Sequence, residues 1–338
     1  MLFYKKQTQN GKYEDKNMIK QKVFATRARV PEAIELLQSL FDVEVWPENT
    51  PPPKQVLVEK AAWCNAIMTE VDDQIDEDIL DSGKGKLKII ANRSVGYNNI
   101  NVEAATSHNI TITNTPGILA ETCADMTFAL ILSIARKVVF GDRAVRNGEW
   151  TVFDQVPYLG TDVYGKKLGI VGLGDIGEKV VKRSIGFEME VFYHARTKKT
   201  EIEEKYGVTR LGLDDILSTC DYISLHVPLN PETEQMISSR ELGLMQKSSF
   251  LINTSRGPIV DLDALNSALT TGQIKGAAID VTDPEPIPID HPIVNNENIV
   301  ITPHIASASK ATFTAMGVAA AHNIIAALQN KTIPSPVN

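Results

Sequence analysis

The strongest chemical signal lies at Leu168-Gly169-Ile170-Val171-Gly172-Leu173-Gly174-Asp175-Ile176-Gly177, where glycines recur as GxGxxG at Gly172, Gly174 and Gly177. An apolar run ends at the first of these glycines, and Glu178-Lys179-Val180-Val181-Lys182-Arg183 reads as a helix opening after the third. In that setting Gly172 permits a tight turn, Gly174 lets the backbone approach a pyrophosphate, and Gly177 lets helix and strand pack closely. The free N–H groups of Asp175, Ile176 and Gly177 and the helix dipole then face the anion. That chemistry is dinucleotide binding. About 20 residues on, an Asp or Glu would bond the ribose 2′-hydroxyl of NAD. This chain instead reads Tyr193-His194-Ala195-Arg196-Thr197-Lys198-Lys199. Cations and a hydroxyl in place of a carboxylate suit a 2′-phosphate, so Ala195, Arg196 and Thr197 predict NADP(H) as the preferred cofactor. NAD(H) is the second candidate, with the basic turn then merely solvated.

Three later stretches carry polar groups where apolar runs end. They are Asn253-Thr254-Ser255-Arg256-Gly257, then Asp280-Val281-Thr282-Asp283-Pro284-Glu285, then Thr302-Pro303-His304. In an open α/β sheet, ligands bind beyond the carboxyl ends of the strands, which is where these groups fall. Asp280, Asp283 and Glu285 could also make an acidic loop or a hard-metal site, although a proline-rich loop supplies few convergent oxygens. His291 beside Asp290 reads as loop.

The elements that must position these groups repeat a strand–helix rhythm. Runs at Lys22 to Thr26, Val43 to Trp46, Leu87 to Ala91 and Ile110 to Thr113 read as strands, with a helix from Pro31. Asn114-Thr115-Pro116-Gly117 breaks the pattern as a hinge, and one long helix is expected from about Ala120 to Arg146. Six further strands follow, at Leu168 to Val171, Glu190 to Tyr193, Tyr222 to Val227, Phe250 to Asn253, Ala277 to Asp280 and Ile299 to Ile301. The fold class expected is α/β with largely parallel, doubly wound sheets. The chain's 338 residues make roughly two domains at about 150 residues each.

Composition removes several alternatives. Lys plus Arg number 34 against 42 acidic residues, and no basic stripe appears, so nucleic acid is a poor partner. Cys64, Cys123 and Cys220 lack metal or disulfide spacing, fit free thiols in a reducing cytoplasm, and leave no metal site predicted. Met126 to Phe140 is broken by Ser133, Arg136 and Lys137, and Met1 to Lys22 has no apolar signal core, so neither membrane nor export is expected. Met18 is a candidate alternative start. An apolar face on the helix after Ala120, with Met126, Phe128, Ala129, Leu130, Leu132 and Ile134, is expected to sit at the centre of a homodimer.

The ordered set of Ser94-Val95-Gly96-Tyr97-Asn98-Asn99-Ile100, the Asn114 to Gly117 hinge, the glycine turn and the three polar stretches resembles the D-isomer-specific 2-hydroxyacid dehydrogenases. The resemblance covers nearly all of the chain after about Val23. Ala195-Arg196-Thr197 and Gly148-Glu149-Trp150 make it most similar to the glyoxylate/hydroxypyruvate reductases, with the 2-ketogluconate reductases close by. It implies two Rossmann-like domains with a cleft between them. A flavodoxin-like substrate domain (1–115 and 308–338) and an NAD(P)-binding domain (116–307) are expected.

The resemblance also places the family's catalytic arginine, glutamate and histidine on Arg256, Glu285 and His304. Reducing a small 2-keto acid to the D-2-hydroxy acid needs a hydride on carbon and a proton on oxygen, which an imidazolium at His304 can donate. Glu285 would hold the ring and favour its charged form. Arg256 would clamp the carboxylate with a planar fork, and the Val95 and Gly96 N–H groups would hold its other side. By the same matching, Thr122, Thr254, Arg256, Asp280 and His304 fall near the nicotinamide and its ribose, and Val227-Pro228 flank the adenosine. Trp150 is read as core or as reaching a neighbouring subunit. Two other functions remain open on sequence: an NAD-dependent dehydrogenase of another D-hydroxy acid (lactate, 3-phosphoglycerate), and a redox-sensing regulatory protein built like a dehydrogenase.

Overall fold

The computed structural model describes residues 20–338. The chain divides into two compact units: one ends at Asn114 and resumes over Gly317–Asn338, and the other is Thr115–Met316. The readings of the first residues, including Met18 as a start, lie outside the described residues.

The first unit contains β1 (Lys22–Ala25), α1 (Pro31–Gln38), β2 (Asp42–Val45), α2 (Lys54–Trp63), β3 (Ala66–Thr69), α3 (Glu77–Gly83), β4 (Ile89–Asn92), α4 (Val102–Ser107) and β5 (Thr111–Thr113). All its pairings are parallel, in the order β2-β1-β3-β4-β5, the flavodoxin-like arrangement. Central β3 is missing from the sequence reading. Ala66-Ile67-Met68-Thr69 is too short an apolar run to tell strand from buried helix by period. Phe24, Ile67, Ile79, Leu80 and Ile90 build a core on one face of this sheet.

The last residues strap the open side of β5. Val337 N–H donates to Ile112 O, and Asn338 Oδ1 accepts from Ile112 N–H at 2.7 Å. Ser335 Oγ donates to Asn114 O at 2.7 Å.

The second unit holds α5 (Ala120–Ala135), α6 (Val138–Arg146), β6 (Lys167–Val171), α7 (Asp175–Ser184), β7 (Glu190–His194), α8 (Thr200–Tyr206), β8 (Thr209–Arg210), α9 (Leu213–Thr219), β9 (Tyr222–Leu225), α10 (Ser239–Leu244), β10 (Phe250–Asn253), α11 (Leu262–Thr270), β11 (Gly276–Ile279) and β12 (Ile299–Ile301). A final helix, α12 (Lys310–Leu328), begins in this unit and ends in the first. Among the described residues the sheet has seven parallel strands, ordered β12-β11-β10-β9-β6-β7-β8. The sequence reading finds six of them. The two-residue edge strand β8 is too short to carry a pattern.

Alternate strand residues serve two cores, as the period of two requires. Leu168, Ile170, Val191 and Tyr193 meet α5 and α7 on one face, while Val171, Ile223 and Leu225 meet the α9–α11 side on the other.

Two helical expectations are corrected. The helix expected from Ala120 to Arg146 is broken at Lys137, whose φ of 53° is left-handed and cannot continue an α-helix. The apolar face of α5 is not left over for a partner. Phe128 and Leu130 are buried, and Met126, Leu132 and Ile134 pack on the same core, leaving only Ala129 of the named face exposed. A run of exposed apolar side chains follows α5 instead, among them Val138, Val145, Trp150, Val152, Phe153 and Val156. Trp150, 55% exposed, is therefore not core. By length and composition α12 could cross a bilayer, yet its Ala320, Ala321 and Ile324 are fully buried, as in a core helix.

Candidate active site

The strand order of the second unit reverses between β6 and β9, and the glycine turn leaves β6 at that point. Gly172 has φ +100°, and a Cβ there would lie 2.6 Å from the His226 backbone and 2.9 Å from Val227 Cγ1. A Cβ on Gly177 would lie 2.4 Å from Gly172 O. Only glycine fits at either place. A Cβ on Gly174 would meet nothing within 4 Å, so the space above it is open. Helix α7 starts at Asp175, earlier than the sequence reading, with Gly174 as its N-cap and no side chain capping it. The amides of Asp175, Ile176 and Gly177 belong to that first turn and have no intrahelical acceptor. Among the described residues His226 Nδ1 is buried without a partner beside this turn, while its Nε2 meets Ser224 Oγ at 2.8 Å. Burial lowers its pKa to about 4, which keeps the ring neutral. Open space, uncapped amides and an orphaned buried nitrogen together fit a dinucleotide's pyrophosphate and ribose.

At the carboxyl ends of β10, β11 and β12 the three polar stretches converge. His304 Nδ1 lies 2.8 Å from Glu285 Oε2, and ring nitrogen Nε2 bonds nothing in the described protein. With Glu285 ionised, this pairing assigns the Nδ1 proton toward the carboxylate and turns Nε2 outward. Burial works to raise the Glu285 carboxyl, but the hydrogen bond and charge of His304, with the Thr282 amide and Arg256, hold it below the ordinary carboxylate range. Thr282 N–H donates to Glu285 Oε1 at 3.0 Å, which fixes the second oxygen. Burial lowers the Arg256 pKa and the charge of Glu285 opposes that, so the two side chains lie within electrostatic reach.

Residues overlooked in the sequence set this geometry. Asn253 Nδ2 donates to Arg256 O at 2.9 Å, and its Oδ1 accepts from Ser255 N–H at 3.0 Å. A Cβ on Gly257 would sit 1.8 Å from Thr282 O, so only glycine lets the arginine loop lie against the glutamate loop. An asparagine closing a buried strand and a glycine just after the arginine were the available signals.

The protein family is decided by comparison over the whole chain. Residues 128–306 match the model of the D-isomer specific 2-hydroxyacid dehydrogenase NAD binding domain. A glyoxylate reductase of Aeropyrum pernix is 44% identical over 95% of this chain and 97% of its own length. The chain belongs to the D-isomer specific 2-hydroxyacid dehydrogenases. It is an oxidoreductase that works with a nicotinamide cofactor. Among solved structures, the TT0316 protein of Thermus thermophilus is 40% identical with a TM-score of 0.88, covering 94% of this chain and 100% of that one. An NADPH-dependent glyoxylate/hydroxypyruvate reductase of Sinorhizobium meliloti, solved with NADP and malonate, is 27% identical with a TM-score of 0.84, covering 94% of this chain and 97% of that one.

In this dehydrogenase the remaining predicted residues divide by what their side chains already touch. Val227 and Pro228 follow β9, and Val227 lies against the glycine turn at Gly172. Asp280, 1% exposed, accepts from Thr302 Oγ1 (2.6 Å) and from the amides of Ile305 (2.9 Å) and Ala306 (2.7 Å). It thus clamps the His304 loop, with room for about one more donor on its carboxylate. His304 N–H donates to Asp280 O at 2.8 Å and holds that histidine at φ 52°, a left-handed backbone found often at working sites. Thr122 Oγ1 meets Thr312 Oγ1 at 2.6 Å, and Thr254 Oγ1 meets Thr127 Oγ1 at 3.2 Å inside the core. Ala195, Arg196 and Thr197 form the turn after β7, with Arg196 and Thr197 exposed. Val95 and Gly96 belong to the first unit. There Asn114 Nδ2 donates to Val95 O at 2.9 Å and Asn92 Nδ2 donates to Gly96 O at 2.9 Å. Because the peptide is planar and trans, the Gly96 and Tyr97 amides point the opposite way. His291 accepts from Ile293 N–H at 3.3 Å, as a loop residue would.

Proposed function

We propose that this dehydrogenase reduces glyoxylate to glycolate with NADPH as the preferred reductant, NADH being the weaker alternative. Hydroxypyruvate and 2-ketogluconate are the further candidate substrates, each giving the D-2-hydroxy acid. The observation that carries the reading is the 2.8 Å His304–Glu285 pair with Nε2 left open, beside Arg256. The names of the relatives support the substrate, and the NADPH dependence of the Sinorhizobium enzyme supports the cofactor.

The roles follow from what each group can do. A bound reduced nicotinamide supplies the hydride. His304 donates the Nε2 proton to the carbonyl oxygen and keeps its Nδ1 proton on Glu285. Arg256 meets the carboxylate and the carbonyl oxygen with its fork, which a lysine cannot copy. Val95 and Gly96 amides hold the other side of the carboxylate. Asp175, Ile176 and Gly177 amides hold the pyrophosphate, and the loss of an acid at Ala195 lets a 2′-phosphate sit near Arg196.

The enzyme is proposed to act in the cytoplasm as a homodimer. A second copy would cover the apolar side chains from Val138 to Val156, in place of the α5 face. The decisive experiment follows oxidation of NADPH and NADH with a panel of glyoxylate, hydroxypyruvate, 2-ketogluconate and pyruvate. Turnover with glyoxylate and NADPH well above the other pairs is expected. Preference for pyruvate with NADH, or no turnover with any keto acid, would overturn the reading.

A further inference from the structure

The turn that selects the cofactor carries more cations than it can use, and the structure sorts them. Lys198 Nζ pairs with Glu203 at 3.1 Å, and the same carboxylate accepts from Tyr193 Oη at 2.8 Å. Lys199 N–H donates to Tyr193 Oη at 2.9 Å. The far end of the turn is thereby tied to α8. The near end is tied by a residue from outside it. Register pairs Tyr193 of β7 with Arg210 of β8, so the edge strand delivers Arg210 beside the turn. Arg210 Nε and Nη2 donate to Ala195 O at 3.2 and 2.8 Å, and Nη2 donates to Arg196 O at 3.0 Å.

An exposed guanidinium engaged on two neutral carbonyls, in a chain of net charge −8, is an unusual use of a cation. Its consequence is geometric. Two successive carbonyls converge on one guanidinium, so the amides of Arg196 and Thr197, across the same planar peptides, are turned to the other side. Neither amide has an acceptor among the described residues. Successive outward amides form a concave anion site, and here the Arg196 guanidinium and Thr197 hydroxyl stand at its rim. Without the clamp, the carbonyls could rotate outward and present their negative ends to a phosphate.

We propose that Arg210 is a positioning residue for cofactor choice: by gathering the Ala195 and Arg196 carbonyls it aims the Arg196 and Thr197 amides at a phosphate monoester on the adenosine ribose. This rests on the NADPH reading above and deepens it from one side chain to a backbone site with its own support. A lysine, with a single point of charge and no fork, would hold the two carbonyls less well.

The test measures binding of two nicotinamide-free probes by calorimetry, adenosine 2′,5′-bisphosphate and adenosine 5′-monophosphate. Wild type should bind the bisphosphate at least about tenfold more tightly, the effect of one charge-assisted contact. Arg210→Ala should remove most of that ratio and Arg210→Lys part of it, with 5′-monophosphate binding and Tm unchanged because Arg210 is exposed. A wild-type ratio near one would overturn the NADPH reading and this inference with it. A normal ratio in Arg210→Ala, with the ratio lost in Arg196→Ala, would overturn the inference alone. So would equal weakening of both probes in Arg210→Ala.

Discussion

The carboxyl ends of the two sheets are built on the same plan and treat their polar groups in opposite ways. In the first unit, Arg27 meets Asp73 at 2.6 Å and Asp72 at 2.7 Å, and Thr26 Oγ1 donates to Asp73 at 2.5 Å. Arg93 grips both oxygens of Glu70, and Asn99 Nδ2 donates to Asp73 O at 2.8 Å. Arg27 and Asp73 are almost wholly buried, and their charges are answered by protein. In the second unit, the first turn of α7 has no side-chain cap, and among the described residues His226 Nδ1 is orphaned and His304 Nε2 has no partner. A buried unanswered polar group costs about 1–3 kcal/mol; among the described residues Thr113 Oγ1 of β5 and Thr115 Oγ1 also carry that cost, but neither stands beside uncapped amides as His226 does. One sheet end is a platform that braces the Val95–Gly96 loop, and the other leaves polar groups open to a ligand.

The sharpest way to break that contrast is His304→Ala. Turnover in keto-acid reduction should fall roughly 100- to 10,000-fold, the range for loss of a general acid, with NADPH affinity nearly intact. Steady-state kinetics with a cofactor titration would read both; near-normal turnover would place the proton donor elsewhere. At the opposite end, Asp73→Ala should leave Arg27 buried without its main partner. That should cost about 3–5 kcal/mol of stability in denaturant unfolding, with kcat changing little below the new midpoint. A stable variant would mean the network is not the platform described. Arg256→Lys should raise the Michaelis constant for the keto acid roughly tenfold to a hundredfold while cofactor affinity holds.

The smallest effect concerns pH. Burial works to raise the Glu285 carboxyl, but the hydrogen bond and charge of His304 hold it below its ordinary range. Glu285→Gln removes the ionised partner of His304 Nδ1, so it should change the pH dependence of keto-acid reduction. An unmoved profile would detach Glu285 from the proton step. Fold stability depends on the same carboxyl. A depressed carboxyl stabilises fully above its unfolded titration range, and that share is lost as pH drops through the folded value.

What was legible in the sequence tracks how local the signal is. The glycine turn and the three polar strand ends depend on adjacent residues, and the structure places His304 against Glu285 with Arg256 within electrostatic reach. The clamp of Asp280 on the His304 loop joins residues 25 apart in sequence, and that of Arg210 on Ala195 joins residues 15 apart. Neither leaves a local pattern. The Arg27–Asp73 network spans 46 positions and was invisible for the same reason. The apolar face on α5 was expected at a dimer interface and is instead packed on the second unit's own core, because periodicity does not say whose surface buries it. Lys137 broke the long helix through one left-handed backbone, which lysine rarely announces.

The strap along β5 has a consequence unrelated to catalysis. Thr113 and Pro336 bridge in antiparallel fashion, so the tail occupies the hydrogen-bonding rim of a strand that would otherwise end the sheet. An uncovered rim of that kind is a template on which another chain can add its own strand. Fraying of Val337 and Asn338 alone would open it while leaving the contacts of Ser335 with Asn114 in place. The tail therefore guards colloidal behaviour: its loss would appear first as turbidity in concentrated samples, while the remaining dissolved molecules still turned over normally.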